Sequence, residues 1–275
     1  MSNALMTLTQ GKTALTEAEI LILAEMQDDE AAYDMQPARI KIAPGGIGQF
    51  LMGDDTAKSF TAIVAISQKI RGYWPGSGTG QPPLCSSPNG SLGFFSGAPS
   101  DKQIEDGMKT TKPHPGVVLM TQQDAPFPDH FACPTCPMNQ WGSEHQRRAG
   151  AGKGKGCKEM RRLLLLIDGW ALPALMSLPP TSIRAWDAYC SGQASKRSAY
   201  FAVRTKFELD TAESNGGETY NVVRVSMAGP VDADQLPAVA EIRQQYRELV
   251  GGLPVAADEY ETVPTSTEDG EVIPF

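Results

Sequence analysis

The chain has 275 residues, 41% hydrophobic and 20% charged, with a formal net charge of −8. That length admits one large domain or two small ones with a substantial core, and the composition is ordinary globular with Gly and Pro somewhat high. No apolar run reaches the length of a bilayer span, and Met1-Ser2-Asn3-Ala4 lacks the basic-then-apolar pattern of a secretion signal, so a cytoplasmic protein without a membrane partner is expected.

Residues 1–35 read as a polar arm with one acidic helix. Thr16 and Glu19 form a capping box, Leu15 and Ile20 a hydrophobic staple, and Ile20, Leu23 and Ala24 share a face. Pro37 ends that segment. Arg39–Ile42 alternates as a short strand, closed by Pro44-Gly45-Gly46. Ser59–Trp74 is a long strand rich in Ile, Val, Phe and Tyr. Residues 75–115 are dense in Gly, Pro and Ser and read as irregular, with one short strand at Val117–Met120.

Leu163–Ile167, an Asp168-Gly169 turn and Ala171–Leu178 make a β-hairpin. Pro173 marks its second strand as irregular or at an edge. Thr181 or Ser182 can cap a helix through Cys190, with Ile183, Trp186 and Tyr189 at helical spacing. Tyr200–Leu209 and Tyr220–Met227 alternate as strands about an Asn215-Gly216-Gly217 turn, and Ala233–Leu249 is a second helix ending at Gly251-Gly252. From Ser59 the order is strand, hairpin, helix, strand, strand. The expected fold is therefore mainly β with added helices, a five-stranded OB-fold barrel spanning residues 36–250. Residues 75–160 become a large insertion between strands one and two, a connection that binds ligands in such barrels.

Four of the five cysteines fall in that insertion: Cys85, Cys133, Cys136 and Cys157. Cys133-Pro134-Thr135-Cys136 lets two thiolates reach one ion, and Cys85 with Cys157 completes a four-thiolate structural Zn2+ site, with His130 and His145 as rival ligands. A zinc site would stabilise a stretch that has little apolar material. The competing readings are a redox pair or free thiols. A redox C-x2-C normally opens a helix in a strand–helix unit, and Pro134 and Pro137 point to a loop. Cys190, on the helix, reads as a core residue.

Charge is unevenly placed. Asp258, Glu259, Glu261, Glu268, Asp269 and Glu271 are all acidic within residues 251–275, which hold no Lys or Arg. Without them the body is close to neutral. Arg147, Arg148, Lys153, Lys155, Lys158, Arg161 and Arg162 crowd into sixteen residues with the single acid Glu159, a footprint for nucleic acid. Lys69, Arg71, Lys196, Arg197, Arg204 and Lys206 add cations near the first and fourth strands. Tyr73, Trp74, Trp141, Tyr200 and Phe207 are the aromatics considered for base stacking, while Trp170 and Trp186 read as core. On a regular strand Tyr200 shares a face with Arg204 and Lys206, with Phe207 opposite beside Phe201 and Val203. Trp141, between the C-x2-C pair and the basic run, is the first choice.

The final residues, with Asp269, Glu271 and then Ile273-Pro274-Phe275, resemble the acidic tail of bacterial single-stranded-DNA-binding proteins. The resemblance implies a docking peptide for replication, recombination and repair proteins, with Phe275 filling an apolar hole and its carboxylate meeting a cation. Pro83-Leu84-Cys85-Ser86, Cys133–Pro137, Trp141-Gly142-Ser143, Lys155-Gly156-Cys157 and Leu178–Ser182 resemble a group of phage and mobile-element proteins, which implies single-stranded-DNA binding in a bacterium or phage-infected cell.

No catalytic role is expected. Gly150–Gly156 lacks the Ser or Thr that must follow Gly-Lys in a phosphate loop, and no carboxylate spacing gathers a nuclease metal cluster. The expected function is sequence-tolerant coating of single-stranded DNA, with homo-oligomerisation left open. The rivals are a zinc-containing regulatory or assembly protein that binds duplex DNA or protein, and a nuclease or annealing enzyme.

Overall fold

The computed structural model describes residues 37–74, 82–95, 131–144, 154–213, 217 and 219–259. The expected arm helix, the strand at 117–120, most of the 215–217 turn and the tail beyond Glu259 lie outside the described residues. What is described is mainly β. In chain order the elements are β1 (Ala38–Ile42), β2 (Phe50–Met52), β3 (Asp55–Ala57), β4 (Ser59–Tyr73), β5 (Cys85–Ser87), β6 (Leu92–Phe95) and β7 (Phe131–Ala132). Then follow β8 (Lys158–Ile167), β9 (Ala174–Leu178), α1 (Pro180–Ser195), β10 (Val203–Glu213), β11 (Thr219–Pro230) and α2 (Leu236–Gly252). Among the described residues no helix is long and apolar enough to cross a membrane.

The chain divides into two compact units, Met1–Gln68 with Arg161–Gly251, and Lys69–Met160 with Gly252–Phe275. In the first, the strands are ordered β3-β2-β1-β9-β8-β4, with β10 beside β4 and β11 beside β10. β1 runs parallel to β9, with Ile40 opposite Met176, while β8–β9, β4–β10 and β10–β11 are antiparallel. The hairpin turn forms as read. Trp170 N–H bonds to Ile167 O at 3.0 Å, and Gly169 takes the positive φ that a side chain resists. Pro173 immediately precedes β9 and removes no ladder bond. β9 is consequently an interior strand between β1 and β8, not an edge.

One sheet face carries Ile40, Ala62, Val64, Leu163, Leu165, Met176, Phe207 and Val223 around the buried Trp186 of α1. Phe60 stacks on its cross-strand partner Phe207 at 5.0 Å, and Phe50 meets Phe60 edge-on. The alternate residues Ile63, Ala65, Leu164 and Leu175 are buried too. α2 covers them: Arg243 donates to Ala65 O, and the fully buried Arg162 donates to Val250 O at 3.3 Å. Burial on both faces explains the unbroken apolar run Leu163–Leu166, where a one-faced strand would alternate.

α1 begins one residue before the expected caps. Pro179 is the N-cap and makes no side-chain cap bond. Pro180, lacking an N–H and preset in φ, opens the helix unaided. Ser182 Oγ is thereby free to accept Val223 N–H at 2.9 Å, joining helix to β11. Buried Asn221 ties β11 to the loop after β1, donating to Ala43 O at 2.6 Å and accepting Gly48 N–H at 3.2 Å.

At the other end of α1, Arg197 N–H bonds to Ala194 O and Ser198 N–H to Gln193 O. This is a Schellman closure, with Arg197 at φ +57° where glycine is favoured. Arg197→Gly should therefore raise unfolding stability by about 1 kcal/mol, read as a higher urea midpoint at unchanged slope.

Candidate metal centre and nucleic-acid interface

The second unit builds short strands from a stretch the sequence presents as irregular. The end of β4 pairs with β5, placing Tyr73 opposite Cys85. β5 pairs with β6, Cys85 opposite Phe95, and β6 with β7, Leu92 opposite Ala132. Cys133 directly follows β7. The chain then turns so that Cys136 N–H meets Cys133 O at 3.3 Å, and a 3₁₀ turn at Pro137–Asn139 follows. Cys157 N–H bonds to Met138 O at 2.7 Å, which brings the fourth cysteine to the same turn. Cys157 packs with Tyr73, Leu84 and Met138, with Cys85 and Cys136 against them.

All four cysteines are free thiols. Burial pushes the Cys85 thiol up to about 12, and the charges of Cys136 and Cys133 add to the rise. Cys157 is raised more strongly, first by burial and then by Cys136 and Cys85. Cys136 is also raised by burial, opposed by N–H donors of Met138 and Asn139 and by the Arg71 charge. Cys85, Cys136 and Cys157 thus each feel neighbouring sulfurs. Among the described residues no group of three or more His, Cys, Asp or Glu side chains meets at metal-holding geometry. As a donor set, four clustered thiols with amide donors aimed at sulfur suit a soft tetrahedral dication. Of the rival ligands, His130 and His145 lie outside the described residues. Cys190 is half-buried on α1, apart from this set, its thiol raised to about 11 by burial.

Polar side chains that the sequence reading did not single out hold this region together. Ser143 Oγ lies 2.9 Å from Met138 O and 2.7 Å from Gln140 O, and accepts Gly156 N–H at 2.9 Å. Buried Asn139 donates to Cys133 O at 2.8 Å and accepts from Arg71 Nη1 at 2.5 Å and Lys155 Nζ at 3.3 Å. Glu144 is buried against Lys158. Ser143 belongs to a noted motif, but nothing in Asn139 or Glu144 marks them beforehand, because their partners come from segments distant in sequence.

The nucleic-acid residues proposed from sequence separate in space and in exposure. Trp141 is 79% exposed, with Lys155 Nζ 5.5 Å from its ring centroid. It stands out from the turn because Gly142 follows it at φ +89° and lets the chain reverse toward Ser143. Tyr73 and Trp74, in contrast, are buried at 4% and 5% exposure. The Trp74 ring lies over Gly72, where an added Cβ would come within 2.4 Å, so neither presents a face to a base. Arg71 is buried with its guanidinium engaged on Gly90 O, Asn139 and Glu159. Lys158 is taken by Glu144 and Lys155 O.

In the first unit Tyr200 sits in a 3₁₀ turn ahead of β10, so strand alternation does not govern it. It is half-buried, 5.8 Å from Trp186 and capped by Arg243. Phe207 is wholly core. Arg161 pairs with Asp187 at 3.3 Å, Arg204 with Asp168 at 2.8 Å, and Lys206 with Glu208 at 2.7 Å. Arg147, Arg148 and Lys153 lie outside the described residues, as do Asp269, Glu271, Ile273, Pro274 and Phe275.

Asn139→Ala strands a buried guanidinium N–H and the Cys133 carbonyl. It should cost about 2–3 kcal/mol, whereas Trp141→Ala at the exposed tip should change stability by under about 0.5 kcal/mol; urea unfolding of the two variants measures the contrast. No protein-family model, curated protein or solved structure matches the chain.

Proposed function

We propose that this protein coats single-stranded DNA without marked sequence preference, on a zinc-braced surface built into an OB-like barrel. The observation that carries the reading is Trp141. Single exposed apolar side chains are common on protein surfaces, but a Trp at 79% exposure with Lys155 beside its ring offers a flat face for a base and a cation for the adjoining phosphate. It projects from the cysteine turn, and the run Arg147–Lys153 follows it in sequence.

The connectivity supports the barrel. β4, the β8–β9 hairpin, α1, then β10 and β11 follow the OB order, with β4 neighbouring both β8 and β10. The departure is at the closure. β9 takes β1 as its parallel partner where the fifth strand would lie, and Asn221 bridges from β11 to the loop after β1. The cysteine region then occupies the connection between strands one and two, where such barrels hold nucleic acid. Zn2+ bound by Cys85, Cys133, Cys136 and Cys157 would be structural, since four protein thiolates leave no open position for chemistry.

A second reading has its own support. Arg161, Arg204, Lys206 and Arg224 each pair with a carboxylate, which leaves them less available to phosphate and favours the protein-binding form of the rival, a zinc-containing regulatory or assembly protein that binds duplex DNA or protein. The two separate in one experiment. Oligo-dT binding, followed by tryptophan fluorescence, should weaken steeply with salt and exceed binding to a duplex of equal length. Trp141→Ala should cost about 1–3 kcal/mol of affinity, on the order of tenfold in Kd, and remove most of the quenching, because Trp74 and Trp186 are buried and Trp170 is packed against the core of the first unit. Equal affinity for the duplex, or an unaffected Trp141→Ala variant, would favour the second reading.

The acidic tail adds a docking function in this proposal. Deleting residues 258–275 should tighten oligo-dT binding at low salt, an effect that fades as salt screens the tail from the basic surface. Phe275→Ala should leave DNA affinity unchanged while losing the replication, recombination or repair protein that the intact chain retains in a binding assay.

A further inference from the structure

We propose that Arg71 is the positioning residue of the cysteine tetrad, one guanidinium that holds the segments bearing all four cysteines in register for a metal ion. The inference rests on the metal reading above and assigns Arg71 to that centre, away from DNA.

Three bonds carry it. Arg71 lies on β4 opposite Ser87, two residues along from the Tyr73–Cys85 pair. Its Nε donates to Gly90 O at 3.1 Å, in the turn that follows the Cys85 strand. Its Nη1 donates to Asn139 Oδ1 at 2.5 Å. Asn139 in turn holds Cys133 O through its side-chain amide at 2.8 Å and Cys136 O through its backbone N–H at 3.0 Å. Its Nη2 reaches Glu159 Oε2 at 2.5 Å, two residues past Cys157. The planar fork is suited to this, since its donors diverge in fixed directions that a lysine ammonium cannot reproduce.

Charge points the same way. A dication held by four thiolates carries a net charge of about −2, and such a buried charge needs compensation. Arg71, at 8% exposure, is a buried cation bonded to the Asn139 side chain that in turn holds Cys133 O. Glu159 offsets part of that charge, and Lys69 at 3.3 Å offsets Glu159 in turn.

The test uses the full chain, reduced and stripped of metal, titrated with Co2+ and then competed with Zn2+ against a chromophoric chelator. The wild type should take one equivalent of Co2+ with thiolate charge-transfer and tetrahedral d–d bands. Arg71→Met should lower metal affinity about 10–100-fold and broaden the d–d bands as the sulfurs lose their fixed geometry. Arg71→Lys, which restores the cation but not the fork, should recover part of the loss. If both variants bind Co2+ as tightly as wild type with the same spectrum, the positioning role is overturned and the tetrad stands. A wild type that takes up no Co2+ overturns the tetrad and the positioning role together. Should Arg71→Met fail to fold by far-ultraviolet circular dichroism, the decision passes to Arg71→Lys and Asn139→Ala. A loss of metal affinity in both upholds the role, and wild-type affinity in both overturns it.

Discussion

A guanidinium taken out of water must find acceptors for its N–H groups, and the second unit is organised around that requirement. Arg71 finds them in a backbone carbonyl, an amide and a carboxylate drawn from three separate stretches of chain. Among the described residues the apolar clusters around it are small: Ile70, Trp74, Met160 and Val255, and Tyr73, Leu84, Met138 and Cys157. Clusters of that size bury little apolar surface. Directional polar bonds therefore specify the turn, and an ion among the thiols would add the missing stability.

The first unit solves the opposite problem. Its strands β4, β8 and β9 are buried on both faces and need two layers of cover. α1 supplies one through Trp186, whose Nε1 donates to Ser67 Oγ at 3.0 Å, and α2 supplies the other. Burial on both faces leaves strand edges as the exposed weakness of such a sheet. The structure covers the β9 edge with β1 in parallel and ties the β11 side to the loop after β1 through Asn221. Four of its cations, Arg161, Arg204, Lys206 and Arg224, pair with carboxylates. In the second unit Trp141 is exposed, with the partly buried Lys155 beside its ring. In the proposed function that ring and cation would serve as the stacking face and the phosphate contact.

Much was legible in the chain because it depends on neighbours in sequence. The long strand at Ser59, the Asp168-Gly169 turn and the two helices follow from local pattern and turn chemistry. The C-x2-C pair and the basic run were visible for the same reason, and so was the exposed Trp141 as a candidate. What went unread depends on neighbours in space. Tyr73 and Trp74 look like stacking platforms until the Gly72 backbone and the Cys157 cluster bury them. Arg71 looks like one more surface cation until Asn139 and Glu159 close on it. Tyr200 looks like a strand residue, yet a 3₁₀ turn removes the alternation that would have set its face.

The amino-acid sequence alone determined the mainly β character, the order of the principal strands and helices, and the grouping of four cysteines in one insertion, because hydrophobic period, turn residues and ligand spacing are properties of short stretches. Only the tertiary structure decided that β1 runs parallel beside β9, that Ser182 serves β11 and not its own helix, and that one buried arginine links the cysteine-bearing segments. Those outcomes rest on hydrogen bonds between residues tens to more than a hundred positions apart, and no local pattern encodes which distant carbonyl will be within reach of a given donor.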